Sequence, residues 1–201
     1  MIKAGIFDVG GVLLDWSNEW MYQDVDLTLH ISEKVRAKHW TEPMKMLETG
    51  KITEQDFWQQ FLTATQVKTE LPPTSLLARK FIARFQINQD VVQIARELRT
   101  KHYTVGVMSN TIAPHLAFMR TTHLFDLFNP LIFSNEVGVA KPNPQIYTII
   151  LNTLKLQPEE VLFIDDLLEN VEGANRVGIH GILYLNAEKL REDIKALGVE
   201  L

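Results

Sequence analysis

Four short stretches of this chain carry side chains able to work on a phosphoryl group. Asp8-Val9-Gly10-Gly11 ends one apolar run, Ser109-Asn110-Thr111 another, and Asp165-Asp166 a third, while Lys141-Pro142 sits in a loop after a fourth. Three carboxylates brought to one place repel unless a cation sits among them or one takes up a proton. Hard oxygen donors with room for water suit Mg²⁺, which takes only one or two carboxylates beside phosphate oxygens. A hydroxyl, a lysine and free loop amides are the matching donors for a phosphoryl group. Together they describe phosphoryl transfer, with Asp8 as nucleophile and an aspartyl-phosphate as intermediate.

The elements that would position these groups can be read from periodicity. Residues 2–8 (IKAGIFD) form a short buried strand closed by an acidic residue and a glycine pair. From about 17 to 86 the pattern is almost wholly helical, with Thr53 capping one helix and Pro72-Pro73 interrupting the run. Beyond residue 88 helices alternate with strands. The helices are expected over 88–101, 113–120, 144–154, 169–177 and 187–197, and the strands over 103–108, 131–133, 161–164 and 181–185. Near-continuous apolar strands between amphipathic helices predict an α/β fold, a doubly wound parallel sheet covered on both faces. Residues 1–16 and 87–201 then make a Rossmann-like core, and 17–86 an inserted α-helical unit. Ligands of such sheets bind beyond the carboxyl ends of the strands, which is where the four stretches fall.

The set FDVGGVLLD, VMSNT, AKPNPQIY and FIDDLLENVEGA resembles the four motifs of the haloacid dehalogenase (HAD) superfamily, in the family's order and spacing. The helical insert lies where that family carries a small α-helical cap. Its stretch EPMKMLETGKITEQDFW is similar to cap sequence of the sugar-phosphatase and epoxide-hydrolase-associated branch. The resemblance implies Asp8 as nucleophile and the Gly10 carbonyl as an Mg²⁺ ligand. It implies Ser109 and Lys141 on the phosphoryl oxygens, with the Asn110 amide nearby. Asp166 becomes the direct metal ligand, Asp165 an outer or alternate one, and Asn170 the residue that orients the acidic loop. The implied substrate is a small phosphorylated metabolite such as a sugar phosphate.

One position departs from the pattern. Most phosphatases of the family read Asp-x-Asp, the second Asp serving as general acid/base, and this chain has Gly10 there. A positioned acid/base contributes about 10²–10⁴-fold, so a slow enzyme favouring good leaving groups is expected, and an Asp restored at position 10 should change its rate. Asp15, at the exit toward the insert, is weighed as a substitute donor against a hinge role, which is favoured.

Bulk composition narrows the classes. The 201 residues are 46% hydrophobic and 22% charged, which fits a globular chain with a sizeable core. A net charge of −5 without a basic stripe argues against nucleic-acid binding. There is no cysteine, which removes disulfides, thiolate metal sites and cysteine nucleophiles. No apolar run reaches transmembrane or signal-peptide length, so a cytoplasmic protein is expected. The bland readings are strand-end capping for Asp8, helix capping for Ser109-Asn110 and for Asp165-Asp166, and core or surface roles for the six scattered histidines. Trp16, Trp20, Trp40 and Trp58 read as cap core, with one or two near a substrate entrance. Competing functions are a weakened phosphate-ligand or partner-binding protein, and a metal-free haloacid dehalogenase. A phosphoreceiver would place the acidic pair first and the phosphorylated Asp later, the reverse of this order.

Overall fold

The computed structural model describes residues 1–201. Five strands, β1 (Ala4–Phe7), β2 (Thr104–Ser109), β3 (Leu131–Phe133), β4 (Val161–Asp165) and β5 (His180–Leu183), pair in the order β3-β2-β1-β4-β5. Every pair is parallel, so all carboxyl ends lie on one edge. β1 is central and buried throughout. Its neighbouring side chains enter opposite faces, Ile6 one core and Phe7 the other, which is why the sequence reads as an unbroken apolar run.

On the Phe7 face pack α5 (Gln89–Thr100) and α10 (Ala187–Ala196), through Val91, Ile94 and Leu98 of the first and Leu190 and Ile194 of the second. On the Ile6 face pack α8 (Pro144–Leu154) and α9 (Leu168–Arg176), through Ile146, Tyr147, Ile150 and Ala174. Between β1 and α5 run four helices, α1 (Asn18–Leu29), α2 (Glu33–Glu48), α3 (Glu54–Thr65) and α4 (Leu76–Ala83). They enclose a third cluster built on Trp40, Phe57, Trp58 and Phe61, whose rings meet mostly edge to face. Thr53 starts α3 with a reciprocal cap: its hydroxyl accepts the Asp56 N–H at 3.1 Å, and Asp56 accepts the Thr53 N–H at 3.0 Å. No helix is long and apolar enough to cross a membrane.

Element bounds shift by a residue or two throughout, as in β5, expected over 181–185 and found at His180–Leu183, and two differences bear on the site. The second strand runs on to Ser109, because the β2–β3 pairing holds Ser109 level with Phe133. A one-turn helix, α7 (Ser134–Val137), starts directly from β3, and four residues are too few to show a period. The remaining short helix is α6 (Ala113–Met119), after β2.

Candidate active site

Asp8 lies one residue past β1, its N–H donating to the Ile164 carbonyl at 2.8 Å. Phe7 is level with Val107 and Ile164 in the two flanking pairs, so Asp8, Met108 and Asp165 come into line at the sheet edge. The Lys141 ammonium enters among them from the α7–α8 loop. Its three N–H bonds reach Asp8 Oδ1 at 2.7 Å, Asp165 Oδ2 at 2.6 Å and the Met108 carbonyl at 3.0 Å. A lysine has three donors, so this one is saturated. Its loop is held by Asn110, whose Nδ2 donates to the Lys141 carbonyl at 2.9 Å and whose Oδ1 accepts the Lys141 N–H at 2.8 Å. The Asn110 side chain is thus occupied by the lysine loop.

The two acidic residues of β4 have different surroundings. Asp165 is fully buried, and its two oxygens accept from Lys141, from the Leu167 N–H at 2.9 Å and from Asn170 Nδ2 at 3.0 and 3.2 Å. Asn170 is fixed in turn by the Tyr147 hydroxyl, which donates to its carbonyl at 2.7 Å. Asp166 is half-buried and faces an open cleft. Carboxylate oxygens of Asp8, Asp165 and Asp166 lie within 4.8 Å of one another. Gly11 makes that closeness workable. It holds φ at +77°, and a Cβ on it would stand 2.2 Å from Asp166 Oδ2.

Burial pushes the Asp8 carboxyl up to about 7, with Lys141 pulling it down and Asp165 adding to the rise. Burial also raises Asp166, and the Asp165 charge raises it further. For Lys141, burial works against the charge but the Asp8 and Asp165 carboxylates outweigh it and hold the ammonium above its ordinary value. The cluster therefore has too little positive charge for its carboxylates, and its donors are all hard oxygens. Such a set fits a hard divalent cation such as Mg²⁺.

Asp8, Gly10, Ser109, Asn110, Lys141, Asp166 and Asn170 all border one cleft of about 1220 Å³, between the sheet edge and the α1–α4 helices. Asp165 stands behind it. The capping reading of Ser109-Asn110 is not what the structure has, since Ile112 precedes α6 and no side chain caps it. Asp15 is exposed and lies off the cleft. Trp16 borders the cleft, 5.0 Å from Phe81 between ring centres, while Trp40 and Trp58 are buried among the insert helices.

Three residues were missed from sequence, His115 and Glu48 bordering the cleft and Ser134 buried behind its rim. His115 stacks on Phe81 at 4.1 Å, and its Nε2–H donates to the Leu77 carbonyl at 3.0 Å; burial pushes it down to about 4, so it is a neutral imidazole. Ser134, at the carboxyl end of β3, has its hydroxyl on the Glu48 carbonyl at 2.6 Å and accepts the Thr111 N–H at 3.0 Å. Glu48 itself ends α2 and borders the cleft. The strand-end rule would have flagged Ser134; nothing local marks the other two.

Known proteins resemble this chain over most of its length. The sesquiterpene phosphatase astK of Aspergillus oryzae is 30% identical over 184 residues, covering 90% of this chain and 88% of that protein. The bifunctional epoxide hydrolase 2 of Mus musculus is 33% identical over 220 residues, covering 99% of this chain but 39% of its own length; the chain thus spans about two fifths of that relative. A HAD family enzyme from Bacteroides thetaiotaomicron, solved in complex with magnesium and inorganic phosphate, shares the fold at a TM-score of 0.75 and 23% identity, over 92% of this chain and 95% of that one. Residues 2–178 match the description haloacid dehalogenase-like hydrolase, and the chain belongs to that family.

Proposed function

We propose that this hydrolase cleaves small phosphomonoesters with Mg²⁺, through an aspartyl-phosphate on Asp8. Residues 1–16 and 87–201 form its core, and residues 17–86 form a cap over the substrate. The observation that carries the reading is the Lys141 ammonium seated between Asp8 and Asp165 at the strand edge, at the border of the cleft that Ser109 also lines. The phosphatase among the relatives and the magnesium- and phosphate-bound fold neighbour support it.

Asp8 attacks phosphorus in line with the ester oxygen; the P–O ester bond breaks as the P–O bond to Asp8 forms, and water later returns the carboxylate and inorganic phosphate. Lys141 offsets the charge of the phosphoryl oxygens, favours the ionised form of Asp8 and holds it aimed. The Ser109 hydroxyl and the main-chain N–H groups after it donate to the same oxygens. Asp8, the Gly10 carbonyl and Asp166 would hold the Mg²⁺. Asp165, already saturated, positions Lys141 and the acidic loop, with Asn170 bracing it. Bound Mg²⁺ supplies charge neutralisation between nucleophile and phosphate. Three clustered carboxylates serve no purpose in metal-free halide displacement, and a pure binder needs no nucleophile. The test is a panel of phosphorylated metabolites and an aryl phosphate, with Mg²⁺ and with chelator. Turnover with Mg²⁺ alone is expected; silence across the panel overturns the proposal.

Two glycines give further expectations. Gly11→Ala drives a Cβ into Asp166 at an unfavourable φ. It should cost about 1–3 kcal/mol of stability and raise the Mg²⁺ needed for half-maximal turnover about 10–100-fold; a metal titration with a urea melt reads both. At Gly10 the sequence alone suggests that Asp would restore an acid, but a Cβ there lies 3.3 Å from Trp16 Cδ1. Gly10→Asp should therefore displace the indole, destabilise by about 1 kcal/mol and raise alkyl phosphate turnover less than the same change made beside a shortened Trp16. A large gain from the single change would show that the indole is no obstacle.

A further inference from the structure

If position 10 brings no proton donor, the leaving oxygen must be protonated from elsewhere or depart as an alkoxide. Besides Asp8 and Asp166, the carboxylates bordering the cleft are Glu19, Glu42, Glu48 and Glu169. Glu19 and Glu169 are exposed, and Glu42 is exposed and paired with Lys45 at 3.5 Å. Glu48 alone is half-buried, and its carboxyl has neither a hydrogen bond nor an ion pair.

Its main chain is seated on the phosphate-side rim. The buried Ser134 hydroxyl bonds the Glu48 carbonyl at 2.6 Å and the Thr111 N–H at 3.0 Å, and Thr111 is two residues past Ser109. The turn that follows is pressed against the core so closely that a Cβ on Gly50 would stand 2.2 Å from the Asn135 carbonyl oxygen. So the end of α2 is docked beside the phosphate-binding loop, and its last residue borders the cleft.

We propose that Glu48 is the proton donor that Gly10 cannot be. As Asp8 attacks, the Glu48 carboxyl gives its proton to the ester oxygen and the alcohol leaves neutral. The Glu48 carboxylate then takes a proton from the water that attacks the aspartyl-phosphate, which restores the acid and frees inorganic phosphate. The inference rests on the phosphatase reading above. Its basis is the cleft-side place of Glu48 on a docked helix end, in surroundings of which most favour the protonated form. Burial raises it to about 7, with only Lys45 opposing. A helix C-terminus disfavours an anion, and a bound phosphate adds negative charge. A carboxylic acid poised near neutrality in a sheltered pocket is suited to general-acid work. Facing it are Lys45 of its own helix and Tyr22 of α1, whose phenol is itself raised by burial and by Glu48.

The test compares kcat/KM for an alkyl phosphate, which needs a donor, and an aryl phosphate with a good leaving group, which does not. Glu48→Gln keeps the shape and the main-chain clamp, and a thermal melt close to wild type checks that it folds. The aryl-to-alkyl ratio of kcat/KM is expected to rise about 10²–10⁴-fold. The fall of alkyl kcat/KM as pH climbs above about 7 in the parent should vanish in the variant, and Glu48→Asp should recover part of the alkyl rate. An unchanged ratio, whether both substrates slow together or neither does, overturns the assignment. If Asp8→Asn abolishes turnover while Glu48→Gln leaves the ratio in place, only the Glu48 role falls. If the parent turns over neither substrate, the phosphatase reading falls with it.

Discussion

Asp8→Asn is expected to lower kcat on every phosphomonoester by at least about 10⁴-fold, the scale seen when a covalent nucleophile is removed. The amide is nearly isosteric but cannot attack phosphorus. Lys141 keeps Asp165 and the Met108 carbonyl as partners, so the loop should stay in place. The same change should not destabilise the protein. Asp8 is a buried carboxyl pushed up to about 7, which means that the folded state holds a proton there that the unfolded chain releases near 4. The contribution of that group is fully present below about 4 and is lost as pH rises through about 7. With chelator present, the parent should therefore lose stability across that interval, and Asp8→Asn should flatten this part of the curve. Urea melts at pH 4, 5.5 and 7.5 read the sign; a variant that loses stability equally across the range would show that Asp8 does not titrate as described.

Lys141→Met carries the second large effect, and it strikes stability and rate together. The side chain is 1% exposed, and its charge is the only cation against the Asp8 and Asp165 carboxylates. Removing one partner of a buried ion pair costs about 3–5 kcal/mol, because the remaining charges stay uncompensated. The loss should be greatest near pH 8 and smaller near pH 5, where Asp8 can take up a proton instead. Activity should fall at least about 10²–10³-fold, as when an electrostatic donor to the transition state is lost. Arginine is not expected to rescue it. A planar guanidinium does not reproduce three bonds radiating from one nitrogen in a slot already closed by the Phe163 ring at 5.2 Å. Melting curves at the two pH values, beside aryl phosphate kinetics, separate the effects; equal loss at both would mean that the damage is steric.

The parts of this site that could be read in the sequence are those that chain direction places automatically. A parallel sheet sends every strand end to one edge, so Asp8, Ser109 and Asp165-Asp166 were expected on one rim once the strands were recognised. That they meet depends on β1 lying between β2 and β4, an order the strands' own sequences do not show. Trp40, Phe57, Trp58 and Phe61 were likewise legible as interior, because their spacing follows a helix face. What stayed hidden depends on contacts between distant segments. Ser134 and Glu48 are 86 positions apart and meet only because α2 docks beside the end of β3. His115 reads as one of six scattered imidazoles until Phe81 is laid against it. The split between Asp165 and Asp166, adjacent residues of one type, is decided by four hydrogen bonds from Lys141, Leu167 and Asn170 that no local pattern announces.

The contact between Gly10 and Trp16 also bears on how such a chain can change over generations. An indole carbon 3.3 Å from where a Cβ would begin means that a larger residue at position 10 requires the tryptophan to shift by a few tenths of an ångström. An aspartate gained there in one step crowds the loop that carries the nucleophile unless the indole gives way. Trp16 is itself packed against Trp20, Phe81 and His115, so shrinking it first would loosen a wall of the cleft. The two positions are thus coupled, and a donor placed elsewhere on the cleft, as proposed for Glu48, leaves their packing undisturbed.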